Sequence, residues 1–263
     1  MNRLKVFVKR AILISRFYWP RLKTGARWLL HSRETTNHTY CLTARNKEHL
    51  AFALSIATGS SPATVRQYFS EIETDAALRS FIADQIRQSP HRNKADPEAR
   101  YGRRLVWYAA ARILKPTTIV ETGVDKGLGS VVLCAALRRN AIEGHPGRYF
   151  GTDINPEAGY LLQPPYSEVG TILYGDSIES LTKLTDSIGL FVNDSDHSQD
   201  YERREYECIE SRLSGDSLII GDNAHATDTL ANFSEERGRQ FLFAGEQPVN
   251  HWYPGAGVGL SFK

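Results

Sequence analysis

The sequence is poor in cysteine and in long apolar runs, and each shortage removes a class of protein. Three cysteines, Cys41, Cys134 and Cys208, stand far apart in 263 residues with no C-x-x-C pair. Neither a disulfide framework nor a zinc knuckle has a basis, and a reducing compartment, the cytoplasm by default, is expected. The N-terminal arm holds only a short apolar stretch, Ala11 to Ser15, cut by Arg16 and followed by Trp19-Pro20. That is far short of the ~20 apolar residues of a spanning helix, and with no small-residue cleavage site after it a secretory signal is not expected. Acidic residues are missing altogether from residues 1–33, which carry nine Arg and Lys.

What remains is the composition of a soluble globular chain, 41% hydrophobic and 24% charged, long enough to bury a full core. A net charge of +2 with nine basic residues in the first 33 leaves −7 on the rest. A nucleic-acid partner is not expected, because such a partner needs positive charge on the folded body. The basic arm, with Phe7, Phe17, Tyr18 and Trp19 among its cations, has two readings. One is a helix packed on its own domain or on a second subunit of a homo-oligomer, and the other is an amphipathic helix lying on an anionic membrane surface at the inner face of a membrane.

From His49 to Ile86 apolar residues recur at helical spacing, interrupted by Gly59-Ser-Ser-Pro62, which predicts two or three short helices. The polar run Ser89–Pro97 with its two prolines marks a boundary. It separates residues 1–97, a basic arm and helical extension suited to a lid, from residues 98–263. Beyond it, strands and helices alternate. Helices are expected at 105–114, 129–139, 178–184 and 201–213, and strands at 117–122, 148–153, 171–174, 188–193 and 217–221. Repeated βα units imply a Rossmann-like, doubly wound, mostly parallel sheet of the α/β class. The segments 240–244 and 257–262 are strand-like without a helix between them, which predicts an antiparallel hairpin closing one edge and a sheet of seven strands.

Ligands of such sheets bind beyond the carboxyl ends of the strands, and there the polar residues gather. After the first strand come Glu121-Thr122-Gly123, Gly127 and Gly129-Ser130, a glycine turn opening a helix. After the second comes Asp153, after the third Gly175-Asp176-Ser177, after the fourth Asn193-Asp194-Ser195-Asp196-His197, and after the fifth Gly221-Asp222-Asn223 with His225 nearby. The glycine spacing is neither the G-x-G-x-x-G of nicotinamide folds nor a P-loop. Each residue alone could be a helix cap or a turn former; five polar turns at one sheet edge describe a site.

This ordered set resembles the class I S-adenosylmethionine-dependent methyltransferases over roughly residue 98 to the C-terminus. The resemblance implies that Glu121, Thr122, Gly123, Gly127 and Ser130 hold the methionine end of the cofactor, with Asp194 close by. It puts Asp153 on the ribose and Asp176 with Ser177 on the adenine side. Asp125-Lys126 stand where the commoner glycine signature has a glycine. Within the class, the chain is similar to the Mg²⁺-dependent O-methyltransferases of the catechol and caffeoyl-CoA type and of macrolide and aminocoumarin sugar pathways. That similarity implies a metal set of Asp194, Asp222 and Asn223, hard oxygen donors suited to Mg²⁺. It implies His197 or Asp196 as the base that takes a hydroxyl proton, with Asp196 otherwise orienting His197. The expected reaction is methyl transfer to a hydroxyl of a small sugar, glycan or phenolic acceptor. The aromatic segment 247–255 is placed to contact that acceptor or a neighbouring subunit. The competing readings are a metal-independent N- or carboxyl-methyltransferase and a non-catalytic cofactor-fold protein working through its basic arm.

Overall fold

A computed structural model describes residues 3–35 and 39–263. The chain opens with α1 (Arg3–His31), a short β1 (Cys41–Leu42), α2 (Ala44–Thr58), α3 (Pro62–Thr74) and α4 (Ala76–Gln88). Side-chain caps start the last three: Thr43, Ser61 and Asp75 accept from the N–H groups of Asn46, Thr64 and Leu78, satisfying donors that a helix start leaves unpaired. The alternating part follows as α5 (Arg104–Leu114), β2 (Thr118–Thr122), α6 (Leu128–Ile142), β3 (Arg148–Asp153), β4 (Gly170–Tyr174), α7 (Ser177–Lys183), β5 (Ile188–Asn193), α8 (Gln199–Ile209) and β6 (Leu213–Gly221). It ends with α9 (Thr229–Glu236), β7 (Gln240–Gly245), β8 (Pro248–Val249) and β9 (Gly257–Phe262).

Seven strands form one sheet in the order β4-β3-β2-β5-β6-β9-β7. The β2, β3, β4, β5 and β6 pairings are parallel, and β9 runs antiparallel to both β6 and β7. The expected fold and its antiparallel edge are therefore observed, with β9 inserted inside the sheet and β7 outermost. Strand order reverses between β2 and β5, the switch point at which such sheets bind ligands. β2 is buried on both faces, as a strand covered by helices on both sides must be. One face packs Trp107, Val131 and Leu133 of α5 and α6 in the same hydrophobic cluster as Leu50, Leu54, Val65 and Ile72 of α2 and α3. The other face packs Phe191, Tyr206, Ile219 and Phe233. The polar segment near residue 97 thus divides the sequence without dividing the core.

Three local expectations change. The helix over 201–213 stops at Ile209, passes through a 3-10 turn at Glu210–Arg212, and gives way to a strand beginning at Leu213. Leu213 pairs with Ile188 in the sheet, an interaction invisible to local periodicity. α9 falls where no helix was anticipated, and its Leu230, Phe233 and Ser234 are buried at helical spacing. The arm is helical, but no residue of α1 is buried; it meets its own domain through Trp28, whose ring lies 5.2 Å from that of Trp252. No helix among the described residues is long and apolar enough to cross a membrane.

Candidate active site

The turn after β2 is built by its backbone. Gly123 donates its N–H to the Thr152 carbonyl at 2.9 Å and has a φ of +82°, and a Cβ there would overlap the Asp194 carbonyl. Only glycine lets β2 and β5 approach so closely at this point. Asp125, also at positive φ, donates its N–H to Asp153 Oδ2 at 2.9 Å, while Asp153 Oδ1 accepts from Asn155 N–H at 2.8 Å. The end of β3 therefore pins the glycine turn. A carboxylate has about four acceptor positions, so Asp153 keeps two for a ligand.

These strand ends enclose a cavity of about 460 Å³. Its wall contains Gly123, Asp153, Asp176, Ser177, Asp194 and Asp196, all expected at the site, and also Arg104, Ile154 and Tyr201. Asp176 caps α7 through Glu179 N–H and accepts from Tyr201 Oη at 3.1 Å, and Ser177 Oγ lies 2.9 Å from the same hydroxyl. Asp176 is thus both the cap of α7 and part of the cavity wall. None of α2, α3 or α4 contributes to this wall.

Glu121, Thr122, Gly127 and Ser130 do not line the cavity; they stand behind it. Glu121 is fully buried and accepts from Ser130 Oγ at 3.3 Å and from Tyr149 Oη. Burial pushes its carboxyl up to about 7, with the Tyr149 and Ser130 hydrogen bonds acting in the opposite sense. Gly127 starts α6 at a φ of +89°, where a Cβ would press on Gly159. Thr122 donates to Glu205 of α8 at 3.1 Å, and Glu205 also accepts from Ser195 at 2.8 Å and from Ser177 and Asn193. One buried carboxylate thereby joins the ends of β2 and β5 to the start of α7.

Beside the cavity, Asp194, His197 and Asp222 bring ligand atoms within 4.8 Å of one another. Asn223 faces His197 instead of completing an oxygen set: its Nδ2 lies 3.0 Å from His197 Nε2. The opposite ring atom, Nδ1, lies 3.3 Å from Glu202 Oε1, and Glu202 Oε2 accepts from Thr227. Glu202, and not Asp196, orients the imidazole; Asp196 Oδ1 accepts from Ser198 N–H in a local turn. The Glu202 hydrogen bond raises the His197 pKa above its ordinary value, against the opposing effect of burial. His225 is exposed.

The expected metal position holds a side chain. Arg103 contacts Asp222 through Nε, places Nη2 3.7 Å from Asp194 Oδ1, and donates from Nη1 to Tyr40 Oη at 3.0 Å. Both Arg103 and Asp222 are buried. Burial alone would lower the Arg103 pKa, and Asp222 and Asp194 more than reverse that. A divalent ion shared by the same carboxylates would stand beside this guanidinium; at 4 Å the repulsion is about 8 kcal/mol for an effective dielectric of 20. The residues as arranged fit a guanidinium and not Mg²⁺.

Arg103, Arg104, Tyr201, Glu202 and Glu205 were not singled out in the sequence. The arginines did leave a local sign, since two cations at the start of a helix oppose its dipole and must be held by something else. Glu202 and Glu205 left none, because α8 reads as a charged surface helix until β5 and β6 are packed against it.

Residues 120–224 match a family model described as a methyltransferase domain. No curated protein sequence matches the chain. Among solved structures it is similar to the O-methyltransferase TomG of Streptomyces achromogenes, involved in tomaymycin synthesis and solved with SAM. The two share 16% identity over 72% of this chain and 89% of that one, with a TM-score of 0.51. A Geobacter sulfurreducens methyltransferase aligns with 18% identity over 70% and 89% at a TM-score of 0.51. The SAH-bound Podospora anserina methyltransferase PaMTH1 aligns with 16% identity over 72% and 88% at 0.50.

Proposed function

We propose that this chain, whose residues 120–224 match a methyltransferase domain, transfers a methyl group from S-adenosylmethionine to a hydroxyl of a small sugar or phenolic acceptor. The observation that carries the hydroxyl reading is the Glu202–His197–Asn223 arrangement beside a cavity walled by the strand ends. The cofactor supplies an electrophilic methyl on a sulfonium. Of the residues lining the cavity, Asp153 would hold its ribose diol, Asp176, Ser177, Ile154 and Tyr201 would flank the adenine, and Arg104 would meet its carboxylate near Gly123 and Asp194.

His197 donates Nδ1–H to Glu202, which leaves the Nε2 lone pair for the acceptor hydroxyl in place of Asn223. Proton removal by a positioned base is worth about 10²–10⁴-fold, and holding the oxygen in line with the methyl contributes more. Arg103 supplies the positive charge that a metal would bring to Asp194 and Asp222. His251, Trp252 and Tyr253 offer ring surface for the acceptor; Trp252 is 40% exposed, and Tyr253 and His251 pack on Tyr40.

Metal-free transfer to a carboxyl is the second reading, favoured by Arg103. A carboxylate needs no base, so the two readings part on the His197 variant. Calorimetric titration with S-adenosylmethionine tests the cofactor. Saturable binding is expected, weakened about 10–150-fold in Asp153→Ala by loss of hydrogen bonds to a charged acceptor. Unchanged affinity in the variant would remove Asp153 from the site.

A further inference from the structure

Among the described residues, the helix α1 leaves an apolar face exposed. Phe7, Val8, Ile12, Tyr18, Trp19 and Leu22 recur at the spacing that places them along one side of a helix, with Phe7 68%, Trp19 67% and Leu22 64% exposed. Lys5, Lys9, Arg16, Lys23 and Arg27 follow the same repeat on one flank of that face, and Arg3, Arg10 and Arg21 on the other. No acidic residue interrupts either flank. Among the described residues, the C-terminal end of the helix is tied to the domain. Trp28 packs on Trp252, Ser32 Oγ donates to Asp96 at 2.7 Å, and Arg33 N–H donates to the same carboxylate at 2.8 Å.

We infer that α1 docks this protein in the plane of an anionic lipid surface. An apolar stripe bordered on both sides by cations, with aromatic rings at its edge, matches the acyl–headgroup boundary, where the rings and aliphatic chains enter and the Lys and Arg side chains reach the phosphates. The charge distribution argues against a second copy of the helix as the occupant, since two such faces would bring eight cations against eight. Trp28 is not part of the apolar stripe, so its contact with Trp252 leaves Phe7, Trp19 and Leu22 available to the lipid. The inference rests on α1 alone and stands or falls independently of the methyltransferase reading.

The test mixes the full-length protein with phosphatidylcholine vesicles prepared with or without phosphatidylserine and measures co-sedimentation and Trp19 fluorescence, with Trp19→Phe as the spectral reference. Binding to the anionic vesicles only, with a blue shift lost in Trp19→Phe, is expected. Each Lys→Gln change at positions 5, 9 and 23 lowers the partition coefficient about fivefold. Phe7→Ser with Leu22→Ser lowers it further, while cofactor affinity stays unchanged. Equal binding to neutral vesicles, binding insensitive to the lysines, or no vesicle binding with concentration-dependent dimers in sedimentation velocity would each overturn the inference, the last in favour of a second copy.

Discussion

Replacing His197 by alanine lowers turnover on a hydroxyl acceptor by about 10²–10⁴-fold and leaves S-adenosylmethionine affinity near that of the parent, because His197 faces Glu202 and Asn223 and does not line the cofactor cavity. Single-turnover rates with saturating cofactor measure the first quantity and calorimetry the second. The pH dependence has a definite sign. The base works in its neutral form, and the Glu202 hydrogen bond raises its pKa, so kcat/KM falls as pH drops through an inflection above the usual ~6.5. Glu202→Gln removes the largest cause of that shift and moves the inflection down. Normal turnover in His197→Ala would transfer the role of base to Asp196, or, with a carboxyl acceptor, dispense with a base.

Arg103→Ala destabilises the fold by about 3–5 kcal/mol, the usual cost of leaving a buried charge without its partner. For a chain of this size that is a fall in Tm of roughly 6–20 °C. Asp222 is fully buried and Asp194 largely so, and both carboxyls are already pushed up by desolvation. The variant is then expected to gain affinity for a divalent ion. With the guanidinium gone, Asp194, His197 and Asp222 retain the spacing of a divalent site, and Mg²⁺ or Mn²⁺ restores part of the lost Tm. For the parent, Tm and turnover are expected to be indifferent to Mg²⁺ and to chelator. Stoichiometric Mn²⁺ binding by the parent, seen by electron paramagnetic resonance and abolished by Asp194→Ala, would show instead that Arg103 gives way to the ion.

The features legible in the sequence were those with a local signature. The βα alternation, the glycine turn and the polar residue after each strand all follow from short-range patterns, and Asp153, Asp176, Ser177 and Asp194 meet at one cavity because parallel strands deliver their ends to the same edge. The pattern could not distinguish residues facing the cavity from those bracing it. Glu121 and Ser130 are as polar as Asp153, yet the pleat and the first turn of α6 direct them to Tyr149. Likewise the acidic residues after β5 and β6 read as a metal set until α5, distant in sequence, brings Arg103 between them.

Local pattern suffices for the sheet, its binding edge and the amphipathic face of α1, since these depend on periods of two and of 3.6 residues and on backbone permission at Gly123. Which charges meet is set by the packing of distant elements. Whether Asp194 and Asp222 are neutralised by an ion or by Arg103, and whether His197 is oriented by Asp196 or by Glu202, depends on contacts between elements far apart in the chain. Their strength follows from burial, which no local pattern encodes.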